Sequence, residues 1–157
     1  MNEILHNEFF KILSFSFPVN RWLDLNEGDR KTHIILTGFT IDESCEENEY
    51  HEHHSHDQYK TEYSIRTKTS SNQPTNNTDT HANIYLKIYN NNKKHTEDML
   101  LSHSKHHTNP FRPGKIDKFD IGSIQLMDDA IDKIELWHDN KSNFNWFCEW
   151  LINIKII

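Results

Sequence analysis

The stretch that decides the fold is the last one. It reads Ile131-Asp132-Lys133-Ile134-Glu135-Leu136-Trp137-His138-Asp139-Asn140, then Lys141-Ser142-Asn143-Phe144-Asn145, then Trp146-Phe147-Cys148-Glu149-Trp150-Leu151-Ile152-Asn153-Ile154-Lys155-Ile156-Ile157. In the second half Trp146, Cys148, Trp150, Ile152, Ile154 and Ile156 fall on one side of an extended chain, and Glu149, Asn153 and Lys155 on the other. That alternation predicts a half-buried strand. In the first half Ile134 and Leu136 alternate with Lys133, Glu135 and Trp137, and the polar run from His138 to Asn143 supplies turn-forming residues between the two strands.

Working outward, the same period recurs. Ile84, Leu86 and Ile88 alternate with Tyr85, Lys87 and Tyr89, and Tyr63, Ile65 and Thr67 alternate with Ser64, Arg66 and Lys68. Met99 to Leu101 reads as a short strand, Ser102 to Pro110 as a His-rich loop, and Ile116, Phe119 and Ile121 lead to the closing strands. Near the start, Leu13, Phe15 and Phe17 alternate with Ser14 and Ser16, and a short apolar strand, His33 to Leu36, is closed by Gly38. Residues 70–80, built from Ser, Asn, Thr, Pro and Gln apart from Asp79, read as a loop. Several short strands separated by turns predict an antiparallel β-sandwich.

The closing stretch also carries a resemblance. The order hydrophobic-x-hydrophobic-Trp-His-Asp-Asn, a short polar loop, then Trp-Phe and a strand resembles the end of a PLAT domain, the β-sandwich shared by polycystins, lipoxygenases and α-toxin. His81-Ala82-Asn83-Ile84-Tyr85-Leu86 resembles the family's Gly-Thr-Asp-Ala-Asn-Val-Tyr strand, and Phe111 to Phe119 its Phe-x-x-Gly-x-x-Asp-x-Phe segment. Phe15-Ser16-Phe17-Pro18-Val19-Asn20-Arg21-Trp22-Leu23 resembles the final strand of a repeat in lipoxygenase homology domain-containing proteins. Two departures stand out: Asn145 replaces the family's glycine before Trp-Phe, and Val19 its cysteine.

The expected fold is therefore all-β, an antiparallel sandwich of PLAT type with a partial preceding repeat. Residues 1–41 are expected to be the tail of that repeat, 42–59 an acidic, His-rich linker, and 60–157 a PLAT-like domain lacking its last strand. The strand missing at the C-terminus is present at the N-terminus. The chain is thus expected to be a fragment of a repeat array, or its N-terminal strand folds back into the vacant place and covers an otherwise open sheet edge.

With 157 residues, 34% of them hydrophobic, the chain has room for one domain with a small core. A net charge of -7 without a Lys/Arg cluster argues against nucleic acid as partner. Two cysteines, Cys45 and Cys148, give no disulfide framework, and no run approaches the ~20 apolar residues of a membrane span. The expected location is cytoplasmic, and the resemblance adds a peripheral place at the plasma membrane or in a cell projection.

PLAT loops in several relatives hold Ca²⁺, so the resemblance implies calcium as a cofactor. Matched without gaps, His81 takes the family's aspartate position, which leaves Asp79, Asn109, Asp139 and Asn140 as the candidate oxygen donors. Asp139-Asn140 also reads as a turn whose side chains bond the backbone. The run His51-Glu52-His53-His54-Ser55-His56-Asp57 has ligand chemistry for Zn²⁺, Cu²⁺ or Ni²⁺ and is read as a solvated linker. Phe144, an aromatic on a loop, is a candidate membrane contact or a lid on the core; Trp22, Trp137, Trp146 and Trp150 are expected to serve core and motif.

No hydrolase, phosphate-loop or dinucleotide motif is present, so the chain is not expected to be an enzyme. The resemblance implies a non-catalytic module that docks to a membrane lipid surface or to membrane and cytoskeletal proteins, within a multi-repeat scaffold. A protein-binding module without lipid contact and a metal-dependent enzyme built on the His-rich loops are the alternatives.

Overall fold

The computed structural model describes residues 13–24, 28, 31–41, 61–72, 82–125, 127, 130–139 and 145–156. The strands are β1 (Leu13–Leu23), β2 (His33–Thr37), β3 (Phe39–Ile41), β4 (Thr61–Thr69), β5 (Ile84–Asn90), β6 (Met99–Leu100), β7 (Ile116–Ser123), β8 (Ile131–His138) and β9 (Trp146–Ile156). They form two sheets, in the orders β3-β1-β9-β4-β7 and β2-β8-β5-β6, with every pair antiparallel. The all-β sandwich expected from the alternation is the architecture observed.

The inner faces follow from the period of two. Ile84, Leu86 and Ile88 of β5 and Ile134 and Leu136 of β8 are buried, and meet Tyr63 and Ile65 of β4, Phe119 of β7 and Phe17 of β1 in one core. The residues between them on β5 and β8 form the outer face, where Tyr85 stacks on Trp137 at 5.6 Å and Lys87 bonds Asp98 at 2.8 Å. Trp137 is therefore an outer-face residue; of the four tryptophans Trp146 alone is fully buried.

The N-terminal strand lies inside the sandwich. β1 sits between β3 and β9, with Ser16 opposite Ile152 and Leu23 opposite Trp146, and Phe15 and Phe17 are only 3% and 0% exposed. Burying a phenylalanine of this kind stabilises the fold by ~1.5–3 kcal/mol. β2 extends the other sheet beside β8, so residues 13–41 and 61–156 share both sheets and one core. Gly38 makes the crossing from β2 to β3 possible: a Cβ there would stand 2.4 Å from the Phe17 ring. The expected linker, 42–59, lies outside the described residues.

β9 departs from the expected alternation. Trp146 and Cys148 are buried, but so is Leu151, while Trp150 and Ile152 are only half-buried. The register explains this: on β4, Lys68 pairs with Trp150 and the next residue, Thr69, with Cys148, so Glu149 is an extra residue. One inserted residue turns every later position to the opposite face. By register Ile154 stands opposite Ser64 and Ile156 opposite Glu62. β1 is irregular at the same level, between Pro18 and Arg21, where Asn20 has φ 44°.

Candidate functional site

The strand registers bring four connections to one end of the sandwich. Leu23, Trp146, Thr69 and Ile116 mark this end of the five-stranded sheet, and His33, His138, Ile84 and Leu100 that of the other. Residues 24–32, 70–83, 101–115 and 139–145 join strands here. The buried His138 ties the two sheets together, its Nε2–H donating to the Leu23 carbonyl at 2.6 Å. Its pKa lies below the ordinary histidine value, chiefly because burial disfavours the charged ring; the Leu23 carbonyl, Asp139 and Asp24 pull the other way.

The longest of these connections is built around Asp117, which is fully buried. Its Oδ1 accepts the Ser104 hydroxyl and His107 Nδ1–H, both at 2.9 Å, and its Oδ2 accepts the Phe111 amide at 2.7 Å. Ser104 Oγ in turn accepts the amides of His106 and His107, which folds the histidine run into a tight turn. Phe111 has φ 64°, a left-handed conformation costing a non-glycine residue ~1–2 kcal/mol. Three contacts offset that cost: the bond to Asp117, stacking on Phe119 at 5.3 Å, and the edge of Trp146 at 5.0 Å. Trp146 Nε1–H reaches Thr69 Oγ1 at 2.9 Å, and Gly114, at φ 73°, donates its amide to the Thr69 and Ser70 carbonyls. The spacing Phe111, Gly114, Asp117, Phe119 is thus a plug, a turn, the acceptor that holds the plug, and the surface it stacks on.

Asp139 fixes the neighbouring pair of connections. Its Oδ1 accepts the Asn83 amide at 3.0 Å and its Oδ2 the Asn83 Nδ2–H at 2.9 Å, while its own amide donates to the Asn83 carbonyl at 3.2 Å. These are not the bonds of a local turn: both carboxylate oxygens reach across to a different connection and serve the start of β5. Asn109 is exposed in the 101–115 connection. Asp79, Asn140, Phe144 and the run from His51 to Asp57 lie outside the described residues. Among the described residues no group of three or more His, Cys, Asp or Glu is placed to hold a metal ion.

Ser104, His107 and Asp117 are the residue types of a hydrolase triad, but their bonding differs. A triad passes the serine proton to the imidazole, with the carboxylate behind it. Here Ser104 and His107 both address the same oxygen of Asp117, so the hydroxyl donates to the carboxylate instead. The cluster is a brace for the loop. Sequence reading placed Asp117 within a resemblance segment and assigned it no task; its signal was its place in the spacing Phe111, Gly114, Asp117, Phe119. Cys148 is fully buried, and burial pushes its thiol pKa up, which leaves it inert.

The sequence profile of the PLAT/LH2 domain matches residues 63–156, from β4 to the end of β9. Over 144 residues the chain is 29% identical to lipoxygenase homology domain-containing protein 1 of Mus musculus and, equally, to that of Homo sapiens. The match covers 88% of this chain and spans about 6% of the length of each relative. No solved structure matches the chain. The profile takes in more than half of the sequence and all the strands from β4 onward, and with the sandwich described above it establishes that the chain belongs to the PLAT/LH2 domain family.

Proposed function

We propose that this chain is a non-catalytic docking module that presents the connections at the His138 end of the sandwich to a membrane lipid surface, or to membrane and cytoskeletal proteins. One observation carries the reading: the residues singled out for their chemistry, Asp79, Asn109, Asp139, Asn140 and Phe144, belong to three of the four connections leaving the sheets at that end. The bases of those connections are pinned by Asp117, Asp139 and His138, so a contact made at their tips is made from a rigid support. Phe144 is the proposed apolar anchor, and calcium bound by the four oxygen donors would offset repulsion between this acidic chain and anionic lipid. No helix among the described residues is long and apolar enough to cross a membrane, and the proposed contact is peripheral. The role within a repeated scaffold between plasma membrane and cytoskeleton, with residues 1–41 derived from a preceding repeat, belongs to the same proposal.

The test is co-sedimentation near neutral pH with anionic and with neutral vesicles, each with Ca²⁺ or with chelator. Calcium-dependent binding to anionic vesicles is expected, and Phe144→Ala is expected to weaken it about tenfold, the equivalent of ~1.4 kcal/mol of lost apolar burial. Absence of binding in all four conditions overturns the lipid contact and leaves the protein partner.

A further inference from the structure

Four strands lie at the edges of the two sheets, and three of them are closed to a partner. β3 has three residues and β6 two, too short to template another strand. β7 is longer, but its own loop covers it: Lys105 N–H donates to the Lys118 carbonyl at 2.7 Å, His106 Nδ1 lies 3.4 Å from the Ile116 carbonyl, and Lys105 pairs with Asp120 at 3.6 Å. At the far end of β7, Glu97 takes the Ile124 amide.

β2 is different. The His138 amide donates to the Thr32 carbonyl, so Thr32, Ile34 and Leu36 direct their amides and carbonyls toward β8. By the antiparallel alternation, those of His33, Ile35 and Thr37 point away from it. Among the described residues nothing pairs with that side. The strand has no proline and no formal charge, and Ile35, at 57%, is the most exposed large hydrophobic residue described. Among the described residues none of the usual protections of an edge is present at β2.

We propose that β2 is a pairing edge for a second copy of this chain, the two β2 strands running antiparallel about Ile35 and joining two four-stranded sheets into one. The strand is self-complementary in this register. Ile35 faces Ile35 of the second copy as a hydrogen-bonded pair, and His33 faces Thr37 of the second copy on either side, each pair exchanging two backbone bonds. The apolar side chains of the two Ile35 residues then cover each other. Charge selects the same place: the chain carries -7 overall, whereas β2 brings no like charges together. The proposal is independent of membrane contact, which is read in a separate assay.

Sedimentation velocity over a wide concentration range is the first test, with a weight-average mass rising toward twice that of the monomer. Ile35→Lys, at an exposed position, is expected to hold the chain at monomer mass while circular dichroism shows the fold intact. Leu100→Lys, on the opposite edge strand of the same sheet, is expected to leave the dimer unchanged. The register is read by cross-linking with Cys45 replaced by Ser: Ile35→Cys closes a disulfide, since a hydrogen-bonded pair has Cα atoms ~5.5 Å apart, within reach of the bond. His33→Cys does so only when mixed with Thr37→Cys. A chain that stays monomeric throughout overturns the proposal, as does a dimer indifferent to Ile35→Lys or one that cross-links through His33→Cys alone.

Discussion

Asp117 and Asp139 stand at the same end of the sandwich and do related work. Each accepts a backbone amide from a loop that would otherwise leave that donor unpaired, and each takes side-chain donors as well. They differ in their access to water. Asp117 is fully buried and holds Phe111 in a strained conformation against Phe119 and Trp146, so its bonds are part of the core. Asp139 is half-buried and holds Asn83 at the rim. The comparison teaches that acceptor chemistry on a loop does not identify a ligand site, and that solvent decides how much the acceptor matters.

The largest effect is therefore expected at Asp117. Asp117→Ala leaves the Phe111 amide, the Ser104 hydroxyl and His107 Nδ1 without their acceptor, and is expected to lower stability by ~3–5 kcal/mol, the range for breaking a buried charged network. Asp117→Asn keeps the shape but turns an NH₂ toward one of those donors, for an intermediate loss of ~1–3 kcal/mol. Denaturant unfolding at constant slope measures both. A loss under ~1 kcal/mol for the alanine variant would show that water enters the loop freely, and the contrast with Asp139 would collapse.

At the rim, Asp139→Ala is expected to cost ~1–2 kcal/mol, because water replaces part of what Asn83 loses. The same variant sharpens the functional reading. If Asp139 also contributes to a calcium site, its removal abolishes the calcium dependence of vesicle binding beyond what the stability loss explains; if it serves Asn83 alone, the calcium dependence is untouched.

Much of this fold is legible in the sequence because the period of two is regular in β4, β5 and β8, where Ile65, Leu86 and Leu136 go inward as expected. β9 is misread for a physical reason. Nothing in the residue type of Glu149 marks it as inserted; the bulge is set by pairing with β4 and β1, strands distant in sequence. The outward place of Trp137 follows from the alternation that sets it with Lys133 and Glu135, although its residue type reads as core until Tyr85 is seen stacked beside it. The site is hidden for the same reason as the bulge. Asp139 reads as a turn residue, but its oxygens serve Asn83 on another connection, and the brace at Asp117 likewise depends on where three donors from residues 104–111 arrive in space.

The smallest expected effect, and the one that separates burial from charge at this end, concerns His138. Its neutral ring donates through Nε2 to the Leu23 carbonyl, so a second proton must go onto Nδ1 of a side chain only 3% exposed. Burial lowers its folded pKa beneath that of the unfolded chain, and the unfolded chain therefore binds the proton more readily. The neutral ring's contribution is complete above the unfolded value, near 6.5, and is lost as pH falls from there toward the folded value. One proton limits the slope to about 1.4 kcal/mol per pH unit within that window. His138→Gln keeps a donor for Leu23 and removes the titration, so comparing its unfolding free energy with that of the parent chain across mildly acidic pH isolates this step. Asp139 and Asp24 act in the opposite sense, since each favours the imidazolium. If Asp139→Ala steepens the acid loss while His138→Gln abolishes it, burial governs the histidine and Asp139 moderates it; if the parent and His138→Gln lose stability in parallel, the ring does not titrate in this window and the link between the sheets is indifferent to pH.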